Sequence, residues 1–205
     1  KIMGLISNGT TVFDAGAMAS GFGGSLTLIK KSTASSAGSL AFMNGSSGVV
    51  FDSTYKEYII TITNWNPATD DKNGEFSFST NGSNFGVAKT STYFRATHVE
   101  DNSDSGLEYR AAQDLAQSTG NQILCEQMGS GADENGCAIL HIFNPGSTTF
   151  VKHFIGYANT MTHNNQCISD RVSGYINTTS AVVGIKFECE SGASFDGIFT
   201  LYGVS

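Results

Sequence analysis

Four histidines, eighteen carboxylates, four cysteines and many hydroxyls are the groups in this chain able to do chemistry. His98, His141, His153 and His163 invite a metal, since neutral imidazole is a common ligand. His141 and His153 fall on neighbouring stretches of alternating apolar sequence, yet no third ligand stands at a spacing that completes a site. Half-buried, hydrogen-bonded histidine is therefore the expectation. A Ser-His-Asp arrangement needs a nucleophile held on a strained turn, but no G-x-S-x-G elbow occurs, and Gly45 and Gly48 flank Ser46-Ser47 in the wrong pattern. Glycoside hydrolysis needs two carboxylates facing across a groove; here the acids gather in loops and no pair stands out. Asp70-Asp71 and Glu100-Asp101-Asp104 offer the oxygen ligands calcium takes, without the spacing of an EF-hand loop, and read as solvated turns. The expectation is a protein that is not an enzyme and uses no cofactor or metal.

Cys125, Cys137, Cys167 and Cys189 are too widely separated for a zinc knuckle. The opening residues do not form a cationic, apolar leader, so the expectation is a reducing compartment and buried free thiols. Charged residues make up 14% of the chain, against about 25% in an ordinary soluble domain. The surface must be rich in hydroxyls and amides instead. With 11 basic residues, scattered, and a net charge of −7, the chain lacks the cationic patch a nucleic-acid partner requires. No apolar run approaches the roughly 18 residues of a membrane helix, so neither nucleic acid nor membrane is expected as a partner.

The elements that would carry these groups are strands. Five Asn-Gly pairs, at Asn8, Asn44, Asn73, Asn81 and Asn135, predict tight turns, because both residues tolerate positive φ. Between them apolar residues alternate: Tyr58, Ile60 and Ile62; Phe76 and Phe78; Tyr93, Arg95 and Thr97 opposite Phe94, Ala96 and His98; Ala138, Leu140 and Ile142. Phe199 and Leu201 oppose Ile198 and Tyr202, a strand apolar on both faces that must be covered on both. Only residues 108–117 look helical, for a turn or two. The fold class expected is all-β, an antiparallel, jelly-roll-like sandwich spanning residues 25–205. Residues 1–24 read as an extended N-terminal docking arm, with Leu5, Ile6, Val12, Phe13 and Met18 too sparse for a core and too many for a linker. Trp65, where a strand enters a turn, is a candidate for surface recognition together with loops around Asp101 and Asn164; the alternative is that Trp65 lids the sandwich end.

Several stretches together, VVFDSTYKEYIITITNWNPATD, TSTYFRATH, FNPGSTTFVKHF, GYINTTSAVVGIKF and FDGIFTLYGV, resemble a family of small virion proteins of marine tailed bacteriophages, and the likeness runs from the arm GLISNGTTVFDAGAM to the C-terminus. The resemblance implies a structural component of the particle and brings no catalytic residue with it. The expectation is a capsid-surface decoration or cement protein, a homotrimer anchored by its arm on the major capsid protein or another virion protein. It would be made in the bacterial cytoplasm and placed on the outer surface of the virion. The alternative is a tail-fibre tip or receptor-binding module contacting a host surface glycan or protein.

Overall fold

The computed structural model describes residues 5–8, 10–14, 17–18 and 25–205. The strands are β1 (Leu5–Ser7), β2 (Thr10–Asp14), β3 (Ala17–Met18), β4 (Leu26–Ala37), β5 (Leu40–Met43), β6 (Glu57–Pro67), β7 (Lys72–Ser79) and β8 (Lys89–Val99). They continue as β9 (Ser105–Tyr109), β10 (Gln122–Met128), β11 (Gly136–Phe143), β12 (Lys152–Met161), β13 (Gln166–Ile176), β14 (Gly184–Cys189) and β15 (Phe195–Val204). One 3₁₀ turn, Glu190–Gly192, is the sole helical element among the described residues. Two antiparallel sheets pack as a sandwich: eight strands in the order β4-β15-β6-β11-β12-β13-β8-β9 over four in the order β10-β7-β14-β5. The three N-terminal strands pair among themselves in a separate small sheet.

The period-two pattern decides which side chains meet between the sheets. In β11, Ala138, Leu140 and Ile142 are buried while Ile139, His141 and Phe143 point away from the core. Contacts between the layers are largely aromatic: Phe76 of β7 meets Phe154 of β12 edge-on at 5.4 Å, and Phe187 of β14 meets Phe199 of β15 at 5.2 Å. Each such ring contributes roughly 1.5–3 kcal/mol by leaving water, plus a smaller geometric term. At one end of the sandwich Lys89 and Lys152 are fully buried on either side of Ile176. Backbone carbonyls, and no carboxylate, receive their ammonium groups: Val87 for Lys89, Thr178 and Ser180 for Lys152. Burial lowers the pKa of Lys89 to about 8.

Two local expectations change. Residues 108–117 are not a helix: Glu108 and Tyr109 finish β9, and only one turn follows, closed by Asp114 N–H on the Arg110 carbonyl at 3.2 Å. The Asn-Gly pairs divide in two. Asn44-Gly45 sits in a turn, with Gly45 at φ 77°, and Asn81-Gly82 sits in a bend. Asn73-Gly74 lies inside β7, where a Cβ on Gly74 would stand 2.8 Å from the Trp65 ring, and Gly136 opens β11 close to Met128. Glycine serves close approach there, not chain reversal.

Candidate functional site

The outward face of the large sheet exposes several large apolar side chains. Registered neighbours build a row across five strands, Ile139–Tyr157–Arg171–Phe94–Tyr109. Arg171 lies over the Tyr157 ring at 4.8 Å, and Ile139, Tyr157 and Phe94 keep about 40% of their surface exposed. Leu107, beside Ala96 on β9, is 75% exposed. Depressions of about 450 Å³ beside Ile139 and Cys137, and about 430 Å³ beside His153 and Tyr175, hollow this face. Across β6, β11, β12, β13 and β8 its formal charges are one carboxylate, Glu57, and one guanidinium, Arg171. Glu57 is itself engaged by His141 Nδ1 at 2.5 Å. Over these five strands the face mixes exposed apolar side chains with hydroxyls, amides and histidines, and its formal charges cancel on a chain of net charge −7.

At the edge where β8 and β10 bring the two sheets together, the chemistry is ionic. The Glu126 carboxylate is buried, and both its oxygens are held: Oε2 by Arg95 Nη1 at 3.1 Å, Oε1 by Arg110 Nη2 at 3.0 Å. Glu108 of β9 joins the two arginines from outside, 2.7 Å from Arg95 Nε. Deeper in, Asp170 accepts the Glu126 backbone N–H at 2.9 Å, while its other oxygen and the Tyr93 hydroxyl have no hydrogen-bond partner among the described residues. Burial raises the pKa of Asp170 to about 7, against the lowering effect of the Glu126 N–H it accepts, and pushes that of the Tyr93 phenol far above its usual range. Outside this frame lies a polar cleft of about 350 Å³, between β7, β10 and the turn after β9.

The residues singled out from the sequence are scattered. Trp65 is fully buried, packed on Phe199 at 5.3 Å, Phe195 at 5.8 Å and Phe187 at 6.1 Å, so surface recognition by Trp65 is overturned. It seals the core, because a large ring at the end of an alternating strand gains most by leaving water. Asp101 and Asn164 are exposed on turns that meet, the Glu100 N–H bonding to the Asn165 carbonyl at 3.0 Å. Leu5 and Ile6 lie in β1, Val12 and Phe13 in β2 and Met18 in β3; Ile6 is exposed, and the side chains of the other four lie outside the described residues. All four cysteines are free, but only Cys125 and Cys189 are buried; Cys137 and Cys167 are exposed on the outward face, correcting the expectation for those two. Among the described residues no group of three or more histidines, cysteines or acids is placed to hold a metal. Asp70 instead accepts the Ser130 N–H and hydroxyl, at 2.7 and 2.8 Å.

Alternation marks which side chains turn outward on each strand, but the cleft has no such signal. The cleft residues come from positions as distant as Asp71 and Glu190, and their sequence neighbours give no motif. Compared with protein-family models, with curated proteins and with solved structures, the chain matches none of them.

Proposed function

We propose that this chain is a structural protein of a tailed-phage virion, a capsid-surface decoration or cement protein that assembles as a homotrimer. The observation that carries the assembly is the outward face of the large sheet. Copies of an anionic chain meet with least local repulsion through a surface whose own charges cancel, and over β6, β11, β12, β13 and β8 this face combines that balance with exposed Ile139, Tyr157 and Phe94. Three copies turning this face toward a threefold axis bury it, leaving the hydroxyl- and amide-rich remainder to solvent and the N-terminal segment to reach the shell. The reading of a particle protein rests on the resemblance of the strand and turn segments, and it requires no catalysis. Sedimentation of the purified chain tests the assembly: a trimer that Tyr157→Asp with Ile139→Asp converts to folded monomer supports it, and a wild-type monomer at micromolar concentration refutes it.

A tail-fibre tip or receptor-binding module is the alternative, and one observation favours it, the polar cleft at the sheet edge. Copies per particle separate the two, many for a capsid coat and few for a tail.

A further inference from the structure

The polar cleft is lined by groups of two kinds. Some are locked. Glu126 is spoken for by Arg95 and Arg110, the Gln127 side-chain oxygen accepts Arg95 Nη1 at 2.8 Å, and the Gln127 N–H is taken by Asn73 Oδ1 at 3.0 Å. Asn73 in turn donates to Glu190 Oε2 at 2.9 Å. Others are unclaimed: Glu190 Oε1, Asp71 Oδ2 and the Lys72 ammonium make no hydrogen bond or ion pair among the described residues. Asp71 and Gln127 both hold positive φ, 57° and 52°, an unusual conformation for glutamine, and both sit at interruptions or ends of the β7–β10 pairing. The cleft thus presents two free acceptors and one free donor around a space of about 350 Å³.

The chemistry selects the ligand. Among the described residues no apolar or aromatic side chain lines the cleft, so an apolar guest or one recognised by ring stacking finds no surface there. With Glu126 neutralised by its two arginines, the carboxylates Asp71 and Glu190 face Lys72, the single free cation of the cleft among the described residues, which disfavours phosphate or another anion. Metal-binding groups of three or more do not occur among the described residues. Adjacent hydroxyls of a neutral sugar each donate one hydrogen bond and accept another. That is what free carboxylate oxygens beside a free ammonium demand. From this we infer that the cleft binds one residue of a neutral saccharide through its hydroxyls, with Glu190 and Asp71 as acceptors and Lys72 as donor.

This deepens the receptor-binding alternative and is independent of the assembly, since the cleft shares no residue with the outward face. Glucose, galactose, mannose and N-acetylglucosamine titrated into the ¹⁵N-labelled full chain test it. Expected are saturable shifts at the Lys72, Asn73, Gln127 and Glu190 amides for at least one sugar, weakened about tenfold by Glu190→Ala or Lys72→Ala, the loss of one charge-assisted hydrogen bond. Both residues are partly exposed, so the variants keep their fold. No saturable shift at these amides with any of the four sugars, shifts indifferent to both substitutions, or tighter binding of inorganic phosphate or methylammonium at the same amides overturns the inference. The titration needs no host cell, whereas the receptor-binding alternative stands or falls on whether the purified chain blocks phage adsorption, so the two fail separately.

Discussion

Asp170 is a carboxyl in the core with one oxygen accepting the Glu126 N–H and the other without a hydrogen-bond partner among the described residues. Burial favours its protonated form, so its pKa rises to about 7 from an ordinary value of 3.8. A raised folded-state pKa means that the native chain binds more protons than the unfolded one between those two values. The stability Asp170 contributes is therefore complete below about pH 4 and lost as pH climbs through 7. Asp170→Asn, which cannot ionise, is expected to gain on the wild type between pH 4 and pH 8, on the order of 4 kcal/mol for a shift of about three units. Urea unfolding at the two pH values checks this, and parallel curves for the two proteins contradict it. Gly74 is the second sensitive position. A methyl group there meets Trp65 at 2.8 Å and Met128 at 3.0 Å, and Gly74→Ala is expected to cost about 1–3 kcal/mol, read as a lowered melting temperature.

Strand β9 illustrates how an element is chosen by its partners. Its last residues, Glu108 and Tyr109, lead through Arg110 into a run of good helix formers, and local propensity alone favours a turn or two of helix. Pairing against β8 and the ion pairs of Glu108 and Arg110 to Arg95 and Glu126 outweigh that weak preference. These arginines also tie the large sheet to the small one, since Arg95 sits on β8 and Glu126 on β10. Arg95→Ala leaves a buried carboxylate with one cation in place of two and is expected to destabilise the fold by about 3 kcal/mol. A double-mutant cycle with Glu126→Gln, followed by urea unfolding, should return a coupling of about 1 kcal/mol or more; additive effects would remove the cross-sheet role. The Asn-Gly pairs teach the same lesson: at Asn44 the dipeptide turns the chain, whereas at Asn73 it lets the edge of the Trp65 ring approach a strand closely. Nothing in the two residues themselves separates these cases.

Among the described residues, five strands of the large sheet turn outward a face of few charges with exposed Ile139, Tyr157 and Phe94, and the proposed behaviour of the molecule follows from that face. If three copies meet through the outward face, their association weakens little with salt, because the contact holds one carboxylate and one guanidinium per copy and not a complementary charge pattern. Sedimentation at low and high ionic strength is expected to give the same trimer; dissociation on adding salt contradicts an apolar contact. The N-terminal segment is a separate claim. A variant lacking residues 1–24 is expected to fold, since the sandwich closes from residue 25 onward, and to fail to join particles. Normal incorporation of that variant removes the arm from the account.

Alternation of apolar residues told which strands exist and which side of each faces inward, because a strand half in water leaves a period of two wherever it is read. Tyr93, Leu140 and Phe199 could be assigned to the core on that ground, and they lie there. Strand order, the burial of Trp65 and the convergence of Asp71, Glu126 and Glu190 on one cleft were invisible, since each depends on contacts between segments far apart along the chain. Such contacts are selected by the summed packing and electrostatics of two whole sheets, and a local pattern carries no record of that sum.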